Sequence, residues 1–312
     1  MDTFNIIFSH LLTNPVFIIT ALIIGFLALI GVYLIITDII LYKKSTYYAI
    51  THHPYIRILF NIGLMGEYLT YKNIRHLENF NSKFLFNIYI PKGNSGTSEI
   101  DLLMISTKGI FVFESKNYSG WIFGTENQQY WYQTLPTGRS KSRKEQFFNP
   151  VMQNNTHIKH LQALLPKQVP IFSVIVFSDR CTLKSINVQS SDTSVIHRCD
   201  VAATINTISS QRDDTLNPNE IDEIYNKLYP FTQVDMNVKK QHINDIQEKQ
   251  HSHITQTQQQ INQTDMPCNI QSKKCPWCNG TLATRTSKHG PLAGSQFYGC
   301  SNYPKCKYTQ HK

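Results

Sequence analysis

The chain has 312 residues, is 41% hydrophobic and 16% charged, and carries a formal net charge of +9. That length allows roughly two domains at about 150 residues each, and the hydrophobic content is that of a chain with a packed core. The positive balance favours an anionic partner, nucleic acid or an anionic membrane surface, and the odd count of seven cysteines with paired C-x-x-C spacing suits metal and a reducing compartment better than a disulfide framework.

From Val16 to Ile36 no side chain is charged, and the residues are mostly Ile, Leu, Phe and Val. About 20 such residues span a bilayer, so a single transmembrane anchor is expected over 16–41. A buried core helix and a cleaved signal peptide are the alternatives, the second weakened by the missing basic region before the run. Lys43, Lys44 and Arg57 follow it. By the positive-inside rule they place the N-terminus outside and everything after residue 42 in the cytoplasm.

Gly63 to Leu69 reads as a helix carrying one acid, Glu67, and Lys83 to Ile90 reads as a strand. Pro91 to Gly96 is a turn by composition. Glu99–Ser106 and Ile110–Ser115 are two strands joined by Thr107-Lys108-Gly109, which predicts an antiparallel hairpin. Gly120–Gly124 and Gln129–Tyr132 are short strands, followed by a basic loop with Arg139, Lys141, Arg143 and Lys144. Pro150 to Leu165 has helical spacing of its apolar residues, and Ile171 to Phe177 suits a buried strand. Asp200–Ile208 and Asn219–Leu228 read as helices. A polar segment rich in Gln, His, Asn and Thr then predicts a flexible linker over 233–272. The stretch 58–232 is left as one α/β domain.

The hairpin carries chemistry. Glu114 and Lys116 are two apart, so both side chains point to one face of a strand. Asp101 can approach from the neighbouring strand. Two carboxylates can hold Mg²⁺ through oxygen ligands, and an adjacent lysine can orient or deprotonate a water. Metal-assisted phosphodiester hydrolysis requires such a set, although acids and lysines also alternate on solvated strands. Trp121, Tyr130, Trp131 and Tyr132 could stack on bases, with core packing the preferred reading. Cys181, Cys199 and Cys268 read as ordinary free thiols.

Four motifs occur in order: Gly63-x-x-Gly66-Glu67; Glu99-Ile-Asp101; Lys108-Gly-Ile-Phe-Val-Phe-Glu114-Ser-Lys116-Asn-Tyr-Ser-Gly120; and Asn149-Pro-Val-Met-Gln153. Together they resemble the nuclease-related domain (NERD) family over about residues 60–175. The resemblance implies an α/β, PD-(D/E)xK restriction-endonuclease-like fold. It implies Asp101 and Glu114 as metal ligands, Lys116 as the water-activating group, Glu67 as an additional acid and Gln153 near the site. One departure is Glu99, where members often have a histidine or similar residue. It shares a strand face with Asp101 and is expected to be solvated.

The tail, 273–312, has Cys275-Pro-Trp-Cys278, then Cys300 and Cys306. Four thiols in two knuckles can enclose one tetrahedral Zn²⁺. From residue 266 to the end there are seven Lys/Arg and no Asp or Glu. The segment Cys275 to Tyr308 resembles the C-terminal zinc ribbons of bacterial type I topoisomerases. That resemblance implies single-stranded DNA as the partner. Trp277, Phe297, Tyr298, Tyr303 and Tyr308 would stack on bases, with Arg285, Lys288, Lys305 and Lys307 on phosphates. The expectation for the whole is an Mg²⁺-dependent deoxyribonuclease anchored in a bacterial cell membrane and carrying one structural zinc. The competing expectation is a non-catalytic DNA tether; RNA as substrate is a third.

Overall fold

The computed structural model describes residues 14–93, 96–138, 141–166, 168–235, 237–241, 244, 274–287 and 296–311. It divides into two units, Met1–Asp245 and Ile246–Lys312. Most of the expected linker lies outside the described residues, as do Arg139, Cys268 and Lys288. Described residues from its expected start pack on the first unit instead: Gln233 donates to the Ile50 carbonyl at 3.1 Å, and the Lys239 ammonium sits 5.7 Å from the Tyr89 ring centre.

The first unit begins with α1, Pro15–Lys43, whose first turn is capped by the Asn14 side chain accepting from the Val16 N–H. This helix is long and apolar enough to cross a membrane. Its aliphatic side chains point outward, so the buried-core alternative does not fit. Three helices follow: α2 Thr46–Thr51, α3 Tyr55–Phe60 and α4 Ile62–Ile74. The end of α1 is tied to them by rings. Tyr42 meets Tyr68 edge-on at 5.0 Å and Tyr55 at 5.1 Å.

The central sheet holds β1 Lys83–Pro91, β2 Thr97–Ser106, β3 Gly109–Lys116, β7 Ile171–Phe177 and β9 Thr193–His197, in the order β1-β2-β3-β7-β9. The first three form an antiparallel meander, as the hairpin reading expects. From β3 onward the pairing is parallel. Accordingly β3 reads Ile110-Phe-Val-Phe113 with every residue buried, the signature of a strand covered on both faces. Helix α5, Pro150–Gln162, is pinned to one face by Asn154, which donates to the Val112 carbonyl and Ser173 Oγ, each at 2.9 Å. Helix α4 packs on the opposite face, where a Cβ at Gly66 would meet Ser115 and Asn117. Helices α6, Val201–Ser210, and α7, Pro218–Leu228, complete the layer.

A second sheet contains β4 Gly120–Thr125, β5 Tyr130–Gly138, β6 Lys141–Phe148 and β8 Cys181–Asn187, in the order β6-β5-β4-β8. It corrects the basic-loop expectation. Lys141 to Lys144 begin a strand paired with β5 across a turn at Gly138, whose φ of +138° needs glycine. The charges there are partly used: Arg143 pairs with Glu145, and the Lys144 ammonium lies 3.9 Å from the Tyr132 ring centre. Trp131 is fully buried. Trp121 departs from its core reading and is exposed, with the Lys184 ammonium 5.7 Å from its ring. A Cβ on Gly124 would overlap the Trp131 indole. Gly124→Ala is therefore expected to destabilise the domain by about 2 kcal/mol or more through overpacking, read as a lower melting temperature.

The described residues of the second unit form a three-stranded antiparallel ribbon: β10 Leu282–Thr286, β11 Gln296–Cys300 and β12 Thr309–His311. Its core is Cys275, Cys300 and Cys306 with Leu282 and Tyr308 against them.

Candidate active site and metal centre

The β2–β3 ladder ends at the pair Leu102–Phe113. Asp101 and Glu114 come next, where the two strands separate and β3 continues alongside β7 alone. Asp101 Oδ2 accepts from the Ser115 N–H at 3.0 Å, replacing a ladder bond with a side chain. Glu114 is buried, and its Oε1 pairs with Lys116 Nζ at 2.6 Å. Lys116 also donates to Gln153 Oε1 at 3.0 Å. The sheet thus brings together Asp101, Glu114 and Lys116 as expected, and α5 brings Gln153 to them. Glu67 arrives from α4, with the Tyr47 hydroxyl 3.5 Å from its Oε2.

Two further residues belong here. His157 follows Gln153 by four positions, so both lie on one face of α5. Its Nδ1 is 2.6 Å from Ser98 Oγ, and its Nε2 faces Glu114 Oε2 at 3.3 Å. That last contact is misaligned, so both atoms are buried without a hydrogen bond. Glu99 is not solvated as expected: Tyr89, its cross-strand partner, donates to it at 2.5 Å. The sequence signals were there. Asn149-Pro150 is an N-cap followed by proline, and the Asn149 amide also donates to the carbonyls of Glu126 at 2.8 Å and Gln128 at 2.6 Å. With the helix start so fixed, Gln153 and His157 fall on one face of α5, while the contacts of His157 with Ser98 and Glu114 come only from the fold.

Burial sets the electrostatics. Burial first, then the charges of Glu99 and Glu114, push the Glu67 carboxyl up to about 8. Burial, followed by Glu114 and Glu67, raises Asp101 well above the ordinary carboxylate range. Burial also raises Glu99. At Glu114 burial works against the charge, but Lys116 with His157 beside it outweighs that and holds the group below its ordinary value. At Lys116 burial likewise opposes the charge and Glu114 outweighs it, so the lysine pKa is raised. Lys116 is therefore a held cation in this state, not a free base.

Glu67 gives a signed prediction. Its folded-state value of about 8 lies above the ordinary 4.5. Its stabilising contribution is therefore fully present below about pH 4.5 and is lost as pH rises through about 8. Glu67→Gln is expected to raise the melting temperature at pH 8.5, by the equivalent of about 1–3 kcal/mol, and to change it little at pH 4.5. Equal shifts at both pH values would refute a protonated Glu67.

The donor set fits a hard divalent cation. Glu114 Oε2 is buried without a hydrogen bond, and the carboxylates raise one another's proton affinity. Among the described residues only the four cysteines bring three or more ligand atoms within 4.8 Å of one another. A magnesium ion here would take Asp101 and Glu114 as its two carboxylates, which suits that ion's habit of keeping waters.

The cysteine cluster fits zinc more completely. Cys275 and Cys306 sulfurs are 3.7 Å apart, and those of Cys278 and Cys300 are 3.3 Å apart. A tetrahedron with metal–sulfur bonds of about 2.3 Å has edges near 3.8 Å. Around it, Trp277 and Tyr303 are exposed. Trp277 meets Tyr308 edge-on at 5.4 Å, and the Arg285 guanidinium lies 5.7 Å from the Tyr303 ring centre. Lys305 and Lys307 are exposed, while Phe297 and Tyr298 are half-buried neighbours on β11.

Fold and site together define a nuclease-like α/β domain, joined in one chain to a four-cysteine zinc ribbon. Residues 62–178 match the family model described as the nuclease-related domain, and residues 272–312 match the topoisomerase DNA-binding C4 zinc finger. An uncharacterized protein of Bacillus anthracis is 32% identical over 181 residues, 58% of this chain and 82% of that one. The chain belongs to the nuclease-related domain (NERD) family. The ribbon is similar to two proteins named DNA topoisomerase 1. The one from Archaeoglobus fulgidus is 56% identical over 36 residues, 12% of this chain and 5% of its own length. The one from Mycoplasmoides gallisepticum is 44% identical over 41 residues, 13% of this chain and 5% of its own length. No solved structure matches the chain significantly.

Proposed function

We propose that this protein is a membrane-anchored, Mg²⁺-dependent deoxyribonuclease whose zinc ribbon holds single-stranded DNA. The observation that carries the reading is Glu114, buried between Lys116 and His157 beside Asp101 where two strands part. Asp101 and Glu114 hold the magnesium, which when bound polarises the phosphoryl oxygen and supports the leaving group. Lys116 offsets charge on the phosphate and positions the attacking water, with Gln153 fixing its ammonium. Glu67 keeps its proton near neutral pH and so adds a donor instead of another negative charge.

In the ribbon, Cys275, Cys278, Cys300 and Cys306 hold zinc. Trp277, Phe297, Tyr298 and Tyr303 stack on bases, and Arg285, Lys288, Lys305 and Lys307 meet phosphates. Helix α1 anchors the chain in the cell membrane with both units cytoplasmic, in line with Lys43 and Lys44 at its end.

The test is cleavage of plasmid and single-stranded DNA by the full chain in detergent, with Mg²⁺ and after chelation. Metal-dependent cleavage is expected. Full DNA affinity with no cleavage under any divalent ion would instead support the tether. That second reading draws on one observation, the Lys116 cation locked onto Glu114.

A further inference from the structure

Helix α3 carries Ile56, Leu59 and Phe60, and Ile62 follows it; these side chains are 60, 48, 84 and 70% exposed. A contiguous apolar patch of this kind on a folded domain marks a contact surface. The other side of α3 is fastened down. Ile58 is fully buried. Tyr55 donates to the Asp38 carboxylate and packs against Tyr42 with ring centres 5.1 Å apart. The Tyr42 hydroxyl donates to the His53 carbonyl at 2.6 Å. Asp38 is the first charged residue after the uncharged run of α1. The patch is therefore held beside the membrane-proximal end of α1.

A cleft of about 290 Å³ opens from this patch and shares Leu59 and Ile62 with it. Its far wall is polar and comes from the ends of the parallel strands β3, β7 and β9, with Asn117, Arg180 and Arg198. Arg198 is only 6% exposed. It donates from Nη2 to Asn117 Oδ1 at 3.2 Å, and its buried Nε has no partner. Arg180 donates to the Asn117 carbonyl at 3.0 Å and to its Oδ1 at 3.1 Å. Among the described residues neither guanidinium forms an ion pair. The acid on the cleft wall, Asp179, accepts from the Cys199 N–H at 2.9 Å instead. Asp179 is the one carboxylate on the cleft wall for the two guanidiniums and acts on Arg198 without a close ion pair, so an entering anion offsets the charge left over.

We propose that the domain seats on the bilayer through α3, and that the cleft takes the phosphate of an anionic lipid headgroup. This rests on the reading that α1 spans the membrane. A phospholipid presents a phosphate and then hydrocarbon, the order in which the cleft presents Arg198 and Arg180 and then Leu59 and Ile62. A DNA strand would set sugars and further charges against the exposed apolar side chains. Planar guanidinium forks suit a phosphate bidentately, and a short amphipathic helix lies naturally in the interface.

The experiment uses the full chain in vesicles and in delipidated detergent. In vesicles of phosphatidylcholine with phosphatidylglycerol brominated on the acyl chains, the Phe60→Trp variant is expected to show quenching of its added indole beyond the parent's background. By native mass spectrometry in detergent, one phosphatidylglycerol is expected to be retained per chain. Arg180→Ala, an exposed position, should weaken that retention about tenfold, and Arg198→Lys should weaken it as well. An unquenched indole in a chain that stays with the vesicles sinks the seat alone. So does lipid retention unchanged by Arg180→Ala, or displacement of the lipid by a short single-stranded oligonucleotide in the parent but not in that variant. Recovery of the parent chain in the aqueous phase sinks the spanning helix, and the seat with it.

Discussion

Glu114→Gln is expected to lower metal-dependent DNA cleavage by about 10²-fold or more, the equivalent of several kcal/mol of lost transition-state stabilisation. Glu114 is the residue on which the site converges: Lys116 at 2.6 Å, His157 at 3.3 Å and Asp101 on the adjoining strand. The variant also strands a buried ammonium, which costs about 3–5 kcal/mol when an ion pair loses one partner. Loss of activity and loss of fold must therefore be told apart. The double variant Glu114→Gln with Lys116→Met removes both charges and should melt higher than Glu114→Gln alone. Both should be inactive. Rates equal to the parent in a folded Glu114→Gln protein would remove the nuclease assignment.

Cys275→Ser, or removal of zinc, is expected to unfold the ribbon outright. Among the described residues the buried interior of that unit is three cysteines with Leu282 and Tyr308 packed on them, far too little apolar surface to hold three short strands together. Structural zinc in such modules contributes about 10–16 kcal/mol of apparent binding energy near pH 7, and here that energy is the folding energy. The readouts are one zinc per parent chain, none in the variant, and loss of most single-stranded DNA affinity. Unchanged DNA binding by the metal-free variant would show that the ribbon is not the DNA-holding part.

What the sequence made legible was local. The outward-facing helix α1, the β2–β3 hairpin and the Glu114/Lys116 face follow from patterns within a few residues. The four cysteines are legible because spacing alone sets the chemistry. His157 was not, because its meaning depends on Glu114, a residue brought near only by the crossover from β3 through α5. Glu99 was misread for the same reason: Tyr89 opposite it, not its own neighbours, decides its environment. Lys141 to Lys144 looked like a loop because a charged strand at a sheet edge lacks apolar alternation. Thr193–His197 also escaped notice, being a short strand of half-buried residues.

The parallel pairing of β3 with β7 governs when the site comes into being. A chain under synthesis that has emerged only as far as Lys116 already carries Glu67, Asp101, Glu114 and the lysine, yet β3 has no neighbour on its far side. Gln153 and His157 arrive with α5, and the strand that flanks β3 follows only at Ile171. Such long-range pairings form late, after the entropy of closing the intervening loop has been met. The candidate site's acids are thus made first and organised last. If the proposed nuclease reading holds, a nascent or C-terminally truncated chain ending before Phe177 is expected to cleave no DNA, because its acids are not yet assembled.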